Sequence, residues 1–457
     1  MNKLLFAAPA SGSGKTTVTM AVLAALKARG HTVHAFKCGP DYIDPMFHRA
    51  ALGLPCHNLD LYLTAPDRLK ELFARYASGA EVAVAEGVMG FYDGVGGVTA
   101  EASAWHVADV LDLPVVLVLR PKGASLSLAS VVKGLQTVPE GAPGNGTDSH
   151  LNAILLSDCS EMQYHSLRPM LEAETGLPVL GFLPHLEEAA LESRHLGLKQ
   201  AGEVEDLAKT LDLLAETAGR TIDLNALLAL GEGPAPEAVA APAPSSERVR
   251  IAVARDEAFA FCYDETLDAF REAGGEPVFF RPLSDEALPE DIGGLYLPGG
   301  YPELHARELS ENTAMRAAVR EAVESGLPTI AECGGFLYLG AELASQDGTC
   351  FPMAGVFLGA ALPAGKPVRF GYAELVSDKD TLLAPAGQPV RIHNFHYWDT
   401  SARGSDYTAT KPVNGRTFTT GYGTDTLYAG FPHLYFAGDP EMTGRFIAAA
   451  RNYQKEH

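Results

Sequence analysis

At 457 residues the chain exceeds one ordinary domain, and 47% hydrophobic residues suffice for the cores of two or three. Asp and Glu number 57 against 35 Lys and Arg, a formal charge of −22. Such a field repels phosphate backbones and anionic headgroups, so neither nucleic acid nor a membrane surface is an expected partner.

No apolar run approaches the length of a bilayer span, and Met1 to Ala8 lacks the three-part form of a signal peptide. The 6 cysteines show no paired spacing. That suggests neither a disulfide framework nor a zinc site, and the expected setting is the reducing cytoplasm.

In chain order, a strand over Leu4–Ala8 runs into Pro9-Ala10-Ser11-Gly12-Ser13-Gly14-Lys15-Thr16-Thr17, and a helix follows over Thr17–Arg29. Glycines let successive N–H groups turn inward around phosphate oxygens, and the helix N-terminus adds positive potential. Gly12, Ser13, Gly14, Lys15, Thr16 and Thr17 are therefore candidate nucleotide-binding residues. Lys15 would reach the terminal phosphates, and the Thr16 hydroxyl would ligate Mg²⁺. Pro9 stands where the pattern GxxxxGK[ST] has its first glycine. The competing reading is a glycine-rich turn with an exposed lysine.

A strand over Thr32–Phe36 leads into Lys37-Cys38-Gly39-Pro40-Asp41-Tyr42-Ile43-Asp44-Pro45, and another over Val82–Ala85 leads into Glu86-Gly87-Val88-Met89-Gly90-Phe91-Tyr92-Asp93-Gly94. Loops at the carboxyl ends of parallel strands face one crevice, the one that holds the phosphate loop. Magnesium takes hard oxygens and keeps several waters, so Thr16, Asp41 and Glu86 form a candidate metal set. Tyr42, Asp44 and Asp93 are candidates to line the same site. Acids beside Gly and Pro also cap helices and turns, which is the bland alternative.

Strands over Val115–Leu119, Ala153–Leu156 and Val179–Phe182 continue the alternation with helices and predict a parallel, doubly wound sheet. Residues 231–247, GEGPAPEAVAAPAPSSE, carry no hydrophobic period and read as a semi-stiff linker. The expected domains are thus 1–230 and 248–457. Beyond the linker the rhythm restarts with Val249–Ala254, Pro277–Phe280, Gly294–Leu297 and Thr329–Ala331, with helices near Asp264–Ala273 and over Asn312–Glu324. The fold class is α/β, two doubly wound domains.

The last of those strands enters Glu332-Cys333-Gly334-Gly335-Phe336. A nucleophile on a sharp strand-to-helix turn stands clear of the sheet, and a helix N-terminus favours thiolate. Cys333 is the candidate nucleophile and His433, in Gly430-Phe431-Pro432-His433, the candidate base, with His393 and His396 as competitors. The N–H of Gly334, with the turn around Gly300, would form an oxyanion hole. A lone buried cysteine is otherwise a small hydrophobe, which suits Cys38, Cys159 and Cys262 better than a cysteine followed by two glycines.

Together SGSGKTT, KCGPDYIDP, EGVMGFYDG, ESRHLGL (192–198), LPGGYPE, AECGGFLYLG, RFGYAEL and FHYW resemble the cobyrinate a,c-diamide synthase family over almost the whole chain. The resemblance implies an amino-terminal P-loop synthetase domain similar to dethiobiotin synthetase and a carboxyl-terminal class I-like glutamine amidotransferase domain. It implies ATP and Mg²⁺ as cofactors, and a corrinoid acid and glutamine as small-molecule substrates; a homodimer is left open. Cys333 and His433 would be the glutaminase pair, with Lys15, Thr16, Asp41, Asp44, Glu86 and Asp93 in the synthetase site. Tyr435 stands where ordinary class I amidotransferases carry glutamate, so the group orienting His433 is unassigned. Residues 393–398 read HNFHYW where the family pattern is HEFHYS.

The resemblance points to cobyrinate as the acid amidated, with hydrogenobyrinate as the closest rival substrate and Ni-sirohydrochlorin third. A cobyric acid synthase fits KCGPDYIDP less well. From another class, a partition-type P-loop ATPase acting as a binding switch would predict an early lysine in the loop and no competent nucleophile.

Overall fold

In the amino-terminal unit of the computed structural model, short apolar runs form β1 (Asn2–Ala7), β2 (Val33–Cys38), β3 (Cys56–Leu59), β4 (Val82–Glu86), β5 (Val115–Leu119), β6 (Leu151–Ser157) and β7 (Val179–Leu183). The structure describes residues 1–144, 146–186, 203–237 and 247–457. All seven strands pair in parallel, in the order β3-β2-β4-β1-β5-β6-β7. Leu4, Leu5 and Phe6 have no exposed surface, and every residue of β4 and β5 is buried, as expected for strands covered on both faces.

The helix Lys15–Ala28 buries Val18 and the run Met20–Leu26 against that sheet. Register places Phe6 and Lys37 on either side of Glu86, so the carboxyl ends of β1, β2 and β4 finish together. Two details differ from the sequence reading. Lys37 and Cys38 belong to β2 rather than to the loop after it. The strand β3, whose CHNL sequence carries two polar residues, was not anticipated.

Gly231 and Gly233 lie against the start of β1, accepting hydrogen bonds from Lys3 N–H (3.0 Å) and the Met1 ammonium (2.9 Å). Residues 238–246 of the expected linker, and the 192–198 motif, lie outside the described residues.

Contacts divide the chain into Met1–Ala240 and Ala241–His457. In the second unit, β8 (Val249–Ala254), β9 (Gly275–Phe280), β10 (Ile292–Leu297) and β11 (Thr329–Glu332) are followed by β12 (Gly340–Ala344), β13 (Cys350–Pro352), β14 (Phe357–Val376) and β15 (Val390–Thr400). The last four strands are β16 (Tyr407–Thr410), β17 (Thr417–Thr420), β18 (Tyr422–Gly423) and β19 (Leu427–Gly430). One sheet runs β18-β19-β11-β10-β8-β9, parallel except for β18.

A second, mostly antiparallel sheet runs β13-β12-β14-β16-β17, with β15 also on β14. The sequence reading missed it. Pro363, Pro367, Gly359, Gly365 and Gly371 interrupt β14, and its pairing with β15 slips at two places. Among the described residues no helix is long and apolar enough to cross a membrane.

Candidate active sites

The phosphate loop is built by conformation before chemistry. Gly14 starts the helix at φ 86, and a Cβ there would meet Ser157 Oγ at 2.8 Å, so only glycine fits. Ser157 Oγ in turn donates to Ser13 O (2.5 Å), and Ser13 Oγ donates to Ala10 O (2.8 Å). Gly12 is exposed, whereas Thr16 and Thr17 are half-buried on the first helical turn. Lys15 is 8% exposed, and its ammonium donates to Met89 O (2.6 Å). Burial holds its pKa below the usual lysine value, against the pull of Glu86.

Beside it lies a buried ionic cluster. Lys37 Nζ is 2.8 Å from Glu86 Oε1, pairs with Asp44, and is 3.9 Å from Asp41 Oδ2. Burial alone would lower the Lys37 pKa, but Glu86, Asp44 and Asp41 outweigh it and raise it well above normal. Thr16 Oγ1 donates to the same Glu86 Oε1 (2.6 Å), while Glu86 Oε2 is buried and accepts no hydrogen bond from the described residues. His48 Nε2 stands 4.0 Å from Oε2, and burial holds its pKa down.

Asp41 does two things. Its Oδ1 caps the helix Ile43–Leu52 by accepting from Ile43 N–H (2.9 Å) and Asp44 N–H (3.1 Å), and its pKa is pushed up to about 6 by burial and by Asp44. Asn58 pins the loop through Gly39 O and Asp41 O. Tyr42 precedes that helix, half-buried. Asp93 braces its own turn by accepting from Gly90 N–H (2.9 Å), although its charge is felt at Lys15. The structure therefore brings Lys15, Thr16, Glu86, Asp41 and Asp44 together and leaves Asp93 at the rim. Sequence reasoning passed over Lys37. A lysine near the end of a mostly apolar strand, with acids four and seven residues on, was the available signal.

In the second unit the elbow is strained as its motif requires. Cys333 adopts φ 44, ψ −99 between β11 and the helix Gly334–Leu339. Its N–H donates to Gly430 O (2.8 Å), and Gly335 N–H donates to Pro298 O (3.0 Å), which ties the elbow to β19 and to the end of β10. A Cβ on Gly334 would come within 2.9 Å of Gly300 N, so the peptide after Cys333 packs closely on the turn after β10. A Cβ on Gly299 would meet His433 Cε1 at 2.6 Å.

His433, 4% exposed, hydrogen-bonds Cys333. Burial alone would lower its pKa, but Cys333 and the Glu332 carboxylate 3.6 Å away raise it to about 10. Its backbone is held by a reciprocal pair with His393, N–H to O at 2.9 and 3.2 Å. The competitors are weaker bases: burial takes His393 down to about 3 and His396 to about 4. His396 also stacks on Phe431 at 3.9 Å and donates from Nδ1 to Trp398 O (2.7 Å).

Two family models match the chain: a CobQ/CobB/MinD/ParA nucleotide binding domain over residues 4–198 and a CobB/CobQ-like glutamine amidotransferase domain over residues 250–441. The cobyrinate a,c-diamide synthase of Dehalococcoides mccartyi is 35% identical, with 99% of this chain and 98% of that protein aligned. The enzyme of the same name from Salmonella typhimurium is 38% identical over 98% of each chain. The hydrogenobyrinate a,c-diamide synthase of Brucella anthropi is 40% identical over 87% of this chain and 89% of that one. With relatives this similar along nearly its whole length, and a nucleotide-binding half joined to an amidotransferase half, the chain belongs to the cobyrinate a,c-diamide synthase family.

Proposed function

We propose that this enzyme amidates the a- and c-acetate carboxylates of cobyrinate, using ATP to activate each acid and glutamine as the nitrogen source. The observation that carries the reading is the pairing, in one chain, of a phosphate loop beside a buried Lys/Asp/Glu cluster with a strained Cys333 elbow bonded to His433. Residues 1–230 would form the synthetase, 231–247 the linker and 248–457 the glutaminase.

A carboxylate resists attack by an amine because its charge is delocalised and oxide leaves poorly. Attack of the substrate carboxylate oxygen on the γ-phosphorus, with cleavage of the bond to ADP, converts it to an acyl phosphate. Lys15 and the N–H groups of Gly12 to Thr17 offset charge on the phosphates during that transfer. Glu86 Oε2, buried without a hydrogen bond, suits a cation, so Thr16, Asp41 and Glu86 would hold Mg²⁺, which when bound supplies further neutralisation of phosphate charge. Lys37 holds Glu86 and Asp44 in place through its ion pairs with both.

In the other half, His433 takes the Cys333 proton and the thiolate attacks the glutamine carboxamide carbon. The N–H groups of Gly300 and Gly334 receive the developing oxyanion. The C–N bond breaks as His433 returns the proton to the departing ammonia. Water then cleaves the thioester to glutamate. Ammonia displaces phosphate from the acyl phosphate and leaves the amide.

Mass spectrometry of the product from ATP, glutamine and each of cobyrinate, hydrogenobyrinate and Ni-sirohydrochlorin tests the proposal. A diamide formed from cobyrinate, dependent on both ATP and glutamine, is expected. The 40% identity to a hydrogenobyrinate enzyme makes the metal-free macrocycle the second candidate. Absence of ATP-dependent amide from all three would overturn the reading.

A further inference from the structure

The position two residues after His433, which in ordinary class I amidotransferases supplies the orienting acid, is Tyr435, and its ring packs edge-on against Tyr263 (5.2 Å, 88°). A carboxylate reaches His433 from elsewhere. Glu332, the last residue of β11 and fully buried, places Oε2 at 3.6 Å from His433 Nδ1. Its Oε1 accepts from Tyr296 Oη (3.3 Å), a residue of the neighbouring strand β10. Glu332 pairs in register with Gly430 on β19, three residues before His433, so two parallel strands fix the acid and the base against each other.

We propose that Glu332 is the positioning residue of the glutaminase: its carboxylate, at ion-pair distance from Nδ1 and with Oε2 taken by no other described group, orients the His433 ring with Nε2 toward the Cys333 thiol and stabilises the imidazolium formed when that thiol gives up its proton. This rests on Cys333 and His433 being the glutaminase pair. The arrangement reproduces an acid–imidazole–nucleophile relay with the acid immediately before the nucleophile instead of after the base. Tyr296 occupies the second carboxylate oxygen, which leaves Oε2 for the imidazole. Burial raises the Glu332 pKa and His433 pulls it back, as expected of a carboxylate whose ionised form depends on that partner. Proton count is conserved: the proton moves from sulfur to Nε2 and then to ammonia, and Glu332 keeps none of it.

The test compares Glu332→Gln and Glu332→Asp with the unaltered enzyme. Glutamine hydrolysis is followed against pH, and amidation from ATP, ammonium and cobyrinate reports on folding and on the synthetase. For Glu332→Gln we expect a roughly 10³-fold fall in kcat for glutamine with a much smaller change in KM. The alkaline limb of the glutaminase profile should move to lower pH, because an imidazolium without its carboxylate loses its proton sooner. Glu332→Asp, which keeps the charge, should restore the limb and part of the rate, while ammonium-dependent amidation stays within about threefold in both. An unmoved limb in Glu332→Gln, or a Glu332→Asp no better than Glu332→Gln, would overturn the inference. Glutaminase that survives Cys333→Ala would instead overturn the functional reading beneath it.

Discussion

Both sites depend on ionisable side chains kept where charge is costly, and partners decide which form each adopts. Lys37 is 5% exposed yet stays charged, because Glu86, Asp44 and Asp41 surround it. Glu303, 7% exposed, meets no cation among the described residues, and burial pushes its pKa from 4.5 up to about 7. The sign follows from proton counting. Between pH 4.5 and about 7 the folded state keeps a proton that the unfolded chain has released, so stability falls as pH rises through that window. Above about pH 7 the full cost of a buried charge is present. Glu303→Gln should therefore stabilise the protein at pH 8, by about 3 kcal/mol at most, and by about half as much near pH 5.5. Urea unfolding at the two values checks this; an equal gain at both would show that Glu303 is not titrating as its burial implies.

At the scale of elements, each site is a strand that ends in a glycine-bearing turn, with Gly14 at φ 86 in one and Gly334 packed against Gly300 behind the strained Cys333 in the other. Such units were legible, because an apolar run that stops at Gly-Lys-Thr or Cys-Gly-Gly signals strand, turn and helix within about ten residues. What depends on distant pairing was not. Glu332 is adjacent to Cys333 in sequence, but its approach to His433 requires β19 to return beside β11. Likewise β14 was hidden because its prolines and glycines imitate a loop, while the pairing with β15 that rescues it lies well downstream. The packing of these turns is itself testable. The Gly299 carbonyl accepts from Phe261 N–H (3.0 Å), so the turn is anchored and a methyl group on Gly299 must displace the His433 ring. Gly299→Ala should lower kcat for glutamine by roughly 10²-fold, through a misplaced imidazole, with synthesis from ammonium retained. A normal glutaminase in this variant would mean that the ring has room to move without loss of alignment.

For the whole molecule, the two units carry separate hydrophobic cores, one around Leu4, Val84 and Val116 and the other around Leu295, Ala331 and Phe431. The described residues of each candidate site come from one unit. A side chain lost from one site should then leave the chemistry of the other standing. Cys333→Ala removes the sulfur proposed to form the thioester, so glutamine-dependent amidation should fall by roughly 10⁴-fold or more. High ammonium should restore it, because the acyl phosphate needs only an unprotonated amine. Glu86→Gln acts the opposite way. It removes the charge shared by Thr16 and Lys37 and leaves Lys37 facing two carboxylates in place of three. ATP-dependent amidation should then fall by at least roughly 10²-fold with either nitrogen source, while basal glutamine hydrolysis continues. Steady-state assays of both variants, each with glutamine and with ammonium, give four rates that separate the two chemistries. If Cys333→Ala also abolished ammonium use, or Glu86→Gln also silenced hydrolysis of glutamine, the two units could not be dividing the reaction as proposed.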